Sequence, residues 1–291
     1  MSQRALAILT PIINGLIVVA VLALASVYHR PSSEPRTYGW VRTLSPYCRR
    51  IIYSVAILVA TAIYIWGATH YPTMSATAEY LMRAYAYAGL VSLLLVFIPG
   101  LVRVLFPASP FKGLLLQSRR ALGQSAFGFI VLHSVVAFYN NLSGSLGSLG
   151  YLTRRSQWAM AAAVLALVIL LLLFVTSHDR IEQWMGKWWK RLHRFVYLAA
   201  IVIVVHVLLI GSSFVTWSSA PAVILTSGAL ILLWLEIAAT LVEIRRRGNA
   251  GRRGWQALAV VLVLVALAAP VVQYRLMMQP PYDPHAHGDQ P

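Results

Sequence analysis

Two histidines, His133 and His206, lie deep inside apolar runs of membrane-crossing length, and a third, His193, stands at the start of the second run. Imidazole is costly in hydrocarbon, so an ionisable group kept there points to function. His133 is thirteen residues beyond Arg120, and His206 is twelve beyond Arg194. At a rise of ~1.5 Å per residue, the two rings sit roughly 20 Å and 18 Å from the same basic edge. Two imidazoles at matched depth on different helices can clamp a planar metal cofactor from opposite faces, as bis-histidine haem ligation requires. With both axial positions filled, the iron relays electrons and binds no substrate. The competing reading is structural, because a histidine buried in a helical bundle also serves packing or hydrogen bonding.

His193 lies thirteen residues before His206. That is ~20 Å nearer the basic edge, a separation suited to a second haem. Thirteen residues advance an ideal helix by about 220°, so the two rings would not share a face unless the first turn is irregular. On the helix carrying His133 the equivalent position is Arg119 or Arg120, not histidine. His178 or His29 can reach in from the rim instead, and a haem-propionate or surface role for His193 stays open beside ligation. Arg119 and Arg120 themselves suit bidentate pairing with propionates, although membrane topology alone also explains them.

The other polar residues carry less. His70 lies at a helix end, and His285 and His287 stand in a polar tail with Asp283 and Asp289 that suits disorder better than a metal site. Glu236 lies within an apolar run, roughly 13 Å from its basic end, where it serves either a proton or quinol site or a local hydrogen bond. Trp188, Trp189 and Tyr197 fit an interfacial aromatic belt. The single cysteine, Cys48, excludes an intrachain disulfide, a thiolate metal site or an iron–sulfur cluster.

The elements that must position these residues follow from composition. Of the 291 residues, 59% are hydrophobic and 11% charged, and the mean hydropathy is +0.71. Soluble domains carry about 25% charged residues, so this chain is written for a membrane. Eight apolar runs reach spanning length, near 6–28, 50–70, 80–106, 121–140, 157–177, 194–212, 219–243 and 255–276. Nineteen of the 24 Lys and Arg residues fall in alternate connections, at 29–50, 103–120, 178–194 and 243–254. The positive-inside rule puts those segments in the cytoplasm and both termini outside. The net charge of +16 therefore reflects topology and not nucleic-acid binding. The run Ala23-Leu24-Ala25 resembles a signal-peptidase site, but the long apolar stretch and single preceding Arg predict a retained helix.

Two stretches carry a family resemblance: SRRALGQSAFGFIVLHSVVAFY at 118–139 and TSHDRIEQWMGKWWKRLHRFVYLAAIVIVVH at 176–206. They resemble the ferric-reductase-like transmembrane domain. Within it they are most similar to the haem-binding membrane subunits of bacterial methionine-sulfoxide reductase systems. The matching positions are Arg119, Arg120, Leu122, Gly123, Leu132, His133, Thr176, Ser177, Trp189, Leu192, His193 and His206. The thirteen-residue histidine spacing is the family's own, which weakens the helical-phase objection. The resemblance covers about 50–243 and implies a six-helix core holding b-type haem, with His133 and His206 as ligands and His193 as ligand of a second haem. It implies electron entry from a cytoplasmic flavin reductase, through FMN or FAD, or from quinol, and exit to a periplasmic or extracellular acceptor.

The reading is an all-α inner-membrane cytochrome b with about eight transmembrane helices. It divides into an extra helix and basic segment over 1–49, the six-helix core over 50–243, and a basic loop, last helix and tail over 244–291. No FAD or NAD(P)H domain is expected, so a redox partner is encoded elsewhere. The rivals are a quinol-oxidising subunit of a respiratory reductase and a non-redox transporter or assembly protein of the same fold, since fold alone does not fix function.

Overall fold

The computed structural model describes residues 3–28, 39–210 and 220–247, and every element among them is helical. In chain order these are α1 (Gln3–Tyr28), α2 (Gly39–Leu44), α3 (Cys48–His70), α4 (Met74–Leu105) and α5 (Lys112–Leu142). There follow α6 (Arg154–Val175), the short α7 (Asp179–Met185) and α8 (Lys187–Leu192), α9 (Phe195–Ile210) and α10 (Ala220–Arg247). Among the described residues five helices are long and apolar enough to cross a membrane: α3, α4, α5, α6 and the Ser227–Ile244 part of α10. The chain is a multi-pass membrane protein, helical throughout its described elements. The helices α1 and α9 occupy the expected spans at 6–28 and 194–212, whereas 255–276, His29 and the polar tail lie outside the described residues.

Two helices begin well before their apolar runs. Thr73 accepts the N–H of Ala76 at 3.2 Å, and an ion pair between Glu79 and Arg83, one turn apart, keeps the polar start of α4 helical. The α5 helix starts at Lys112 and carries Gln117, Arg119 and Arg120 out of the hydrocarbon on its first turns. It ends where Ser143 (φ 51°) and Gly144 (φ 71°) turn left-handed, and the Gly144 N–H closes onto the Phe138 carbonyl at 3.2 Å. Thr153 then starts α6 by accepting the Ser156 N–H at 3.3 Å.

The helices form two compact units. The larger lies within Ser33–Gly100 and Ala108–Ile210. In it α6 packs along α9, α3 along α5, and α5 against α6. Its main core joins Leu93, Val96 and Phe97 of α4 to Ala126 of α5, Ile169, Leu170 and Leu173 of α6, and Val196 and Ala199 of α9. A second cluster sets Leu81, Tyr85 and Phe129 against Ala56, Ala60 and Ile63 of α3. Without a hydrophobic drive between helices in lipid, close approach depends on small residues. Ala126, Ala159 and Ala199 are wholly buried, and a Cβ on Gly89 of α4 would fall 2.9 Å from Cγ1 of Ile130 on α5. Cys48 is also buried, its thiol 3.8 Å from the Leu114 carbonyl. Leu171, Leu172 and Val175 of α6 and Phe195, Leu198 and Ile201 of α9 are exposed, as lipid-facing residues are.

The smaller unit lies within Met1–Ser32, Leu101–Pro107 and Gly211–Pro291. Val18 and Ala25 of α1 pack with Leu101, Val104 and Leu105 and with Leu235 and Ala239 of α10. Half-buried Glu236 lies between the buried Leu235 and Ile237 of α10.

Candidate functional site

His133 projects from the middle of α5 and His206 from α9, and their ring centroids lie 6.5 Å apart with planes at 72°. Each ring is held from behind by a different helix. Nδ1 of His133 is 2.9 Å from the Met82 carbonyl of α4, and Nδ1 of His206 is 2.8 Å from the Ala159 carbonyl of α6. A carbonyl oxygen only accepts, so Nδ1 carries the proton in both rings and Nε2 keeps its lone pair. This arrangement, a backbone acceptor on one nitrogen and a free lone pair on the other, fixes the tautomer of a metal-ligating histidine.

The pair can be tested for fit to a metal between the rings. A metal–imidazole bond is about 2 Å and the ring centre lies roughly 1 Å further, which puts two axial rings about 6 Å apart. The observed separation matches that figure. An axial ring turns freely about its bond, so the angle between planes is no obstacle. Among the described residues no group of three or more His, Cys, Asp or Glu could hold a metal ion. Two imidazoles do not complete a metal's ligand set, so a metal held between them would need further ligands from its own group.

His193 lies apart from this pair, at the junction of α8 and α9. Its ring stacks on Trp189 with centroids 4.0 Å apart, and Nε2 is 3.3 Å from the hydroxyl of Thr176. That hydroxyl gives its proton to the Leu172 carbonyl at 2.7 Å, so the ring nitrogen is the donor. Trp189 is pinned in turn by its Nε1–H to the Thr176 carbonyl at 2.8 Å. Burial, then the charges of Arg119 and Arg120, push the His193 pKa down to about 4. His178, which could supply a partner ligand from the rim, is exposed at the start of α7.

Arg120 is already engaged. Its guanidinium pairs with Asp179 and Glu182 of α7 and lies 5.9 Å over the Trp189 ring, while Arg49 of α3 stands 3.8 Å from Asp179. The side-chain bond and charge of Arg120 hold the Asp179 carboxyl below its ordinary pKa. Arg119, half-buried, acts on His193 through its charge. The sequence reading left out the two backing carbonyls and the Arg120 carboxylates. The latter had a signal: Asp179 and Glu182 are two of only eight acidic residues and stand in an otherwise basic connection.

Residues 85–204 match the family described as ferric reductase like transmembrane component. Over 126 residues the chain is 32% identical to the protein-methionine-sulfoxide reductase heme-binding subunit MsrQ of Cronobacter sakazakii. The matched stretch is 41% of this chain and 58% of that relative, so the chain spans little more than half of the relative's length. No solved structure matches it.

Proposed function

Starting from residues 85–204 as a ferric-reductase-like transmembrane component, we propose that the chain is a b-type cytochrome subunit of the cytoplasmic membrane, in which His133 and His206 would hold one haem. The observation that carries this reading is the pair of rings 6.5 Å apart, each with Nδ1 committed to a carbonyl of another helix. Haem supplies one-electron chemistry; the protein supplies ligation, burial and spacing. The similarity to a subunit named heme-binding supports the same assignment.

The donor in this proposal is a cytoplasmic flavin reductase, acting through FMN or FAD, or quinol. The acceptor is periplasmic or extracellular, and the name of the similar subunit favours a reductase of protein methionine sulfoxide. The eight-span threading, with both termini outside, and the division at 49 and 243 belong to the same proposal. For His193 we propose a positioning role, supported by its hydrogen bond to Thr176 and its stacking on Trp189. Arg119 retains the propionate role, whereas Arg120 ties α5 to α7.

Purified protein from haem-replete cells tests the reading. A split α-band on dithionite reduction, lost in His133→Ala and His206→Ala, is expected. Colourless protein would favour the transporter or assembly reading. Membranes stripped of quinones separate the two donors: they stay reducible by a flavin reductase and NADH if the flavin route operates, and become inert if the chain is a quinol-oxidising subunit.

A further inference from the structure

The connection between α6 and α9 departs from an ordinary loop. It folds into α7 and α8, separated by Gly186 at φ 52°, a left-handed conformation that glycine adopts without strain. The break divides the indoles of this segment. Trp189 turns inward to the Thr176 carbonyl. Trp184 and Trp188 turn outward and are 85% and 66% exposed. Indole has an apolar body and one polar N–H, and its favoured place outside a protein core is the headgroup layer of a bilayer.

The charges around the two indoles that stand outside ion pairs are basic. The carboxylates of α7, Asp179 and Glu182, are paired with Arg120. Arg180, Lys187, Lys190 and Arg191 are exposed and take part in none of the ion pairs among the described residues. The guanidinium of Arg191 lies 4.6 Å over the Trp188 ring, so a cation and an indole are presented together. Exposed apolar residues continue along the next helix: Phe195, Leu198, Ile201 and Val205 recur at helical spacing on the strongly apolar α9. A soluble acidic partner would match the charges but would not account for exposed indoles beside an apolar helix whose large side chains are also exposed.

We propose that α7 and α8 form an interfacial site for anionic phospholipid, with Trp184 and Trp188 in the headgroup layer and Lys187, Lys190 and Arg191 on lipid phosphates. Basic residues beside interfacial aromatics are the signature of such contacts. The site anchors the Trp189–Thr176–His193 cluster to the leaflet, because exposed Trp188 is the chain neighbour of Trp189, which is hydrogen-bonded to Thr176.

The test places the full chain in nanodiscs of phosphatidylcholine and phosphatidylglycerol, with bromine near the headgroup end of the acyl chains of only one of the two lipids. The difference in emission between the wild type and W184F/W188F isolates the two indoles. Quenching by brominated phosphatidylglycerol at least about twofold stronger than by brominated phosphatidylcholine at equal fraction is expected. In K187Q/K190Q/R191Q the preference disappears while quenching by both lipids persists. Equal quenching by both lipids in the wild type would overturn the anionic site. Quenching by neither would place these indoles in water or against a protein. Circular dichroism of W184F/W188F establishes that the chain used for the subtraction keeps the native helical fold.

Discussion

His133 and His206 reach the same 6.5 Å gap from α5 and α9 while each rests on the backbone of a helix that carries neither ring. Four helices thus set the geometry of two side chains. Replacing either ring with alanine should cut haem retention at least about tenfold, since even loss of an outer partner to a metal ligand costs that much. The double variant should be no worse than either single one. Haem per chain, measured as the pyridine haemochrome, checks this, and circular dichroism separates it from loss of the fold.

The backing of His206 can be disturbed without touching the ring. Ala159 is wholly buried on α6 and its carbonyl accepts from His206. Ala159→Val should overpack the contact and cost about 1–3 kcal/mol. The expected result is a lower thermal midpoint together with a changed low-spin electron paramagnetic resonance signal. An unchanged signal would mean that the Ala159 carbonyl does not orient the ring.

His193 offers a contrast. His193→Gln should leave the amount of haem per chain unchanged, because its ring nitrogen is engaged with Thr176 and its face with Trp189. A halving of haem per chain would instead identify it as the ligand of a second centre. The pH dependence has a definite sign. The folded ring titrates near 4 against an ordinary 6.5, so its contribution is complete above 6.5 and is lost as pH falls toward 4, where the unfolded chain takes up the proton first. His193→Gln should flatten the stability profile across that window.

Arg120 is mostly buried, at 15% exposure, while its partners Asp179 and Glu182 are more open at 66% and 38%. Arg120→Gln should therefore cost roughly 1–2 kcal/mol, between an exposed and a buried pair. Asp179 has a lowered pKa, so its share is present above the ordinary 3.8 and vanishes only as pH falls through the lowered value. Asp179→Asn removes that share at every pH. Thermal midpoints in detergent at neutral and acidic pH measure both effects.

The parts legible in the sequence were those written in residue type along one helix. Apolar length placed the helices at His133 and His206, and distance from Arg120 and Arg194 gave the rings equal depth. The starts of α4 and α5 were missed because polar turns outside the hydrocarbon lack an apolar signal, and capping by Thr73 or chain continuity from Lys112 decides them. The carbonyls of Met82 and Ala159 were illegible for another reason: every residue has a carbonyl, so only packing selects which one meets a ring. The Arg120 pairs join residues 59 and 62 positions apart, and a helix-by-helix reading has no term for such contacts. The single loop at 178–194 hid two helices, although Gly186 marked the break between them.

The burial of Cys48 against the Leu114 carbonyl gives the chain a chemically quiet background. A cysteine introduced at an exposed site such as Tyr151, between α5 and α6, or Trp184, on α7, becomes the reactive thiol of an otherwise native protein. Membrane-impermeant maleimides added to intact cells should label Cys at position 151 and spare Cys at position 184, reading the sidedness of the bilayer one connection at a time.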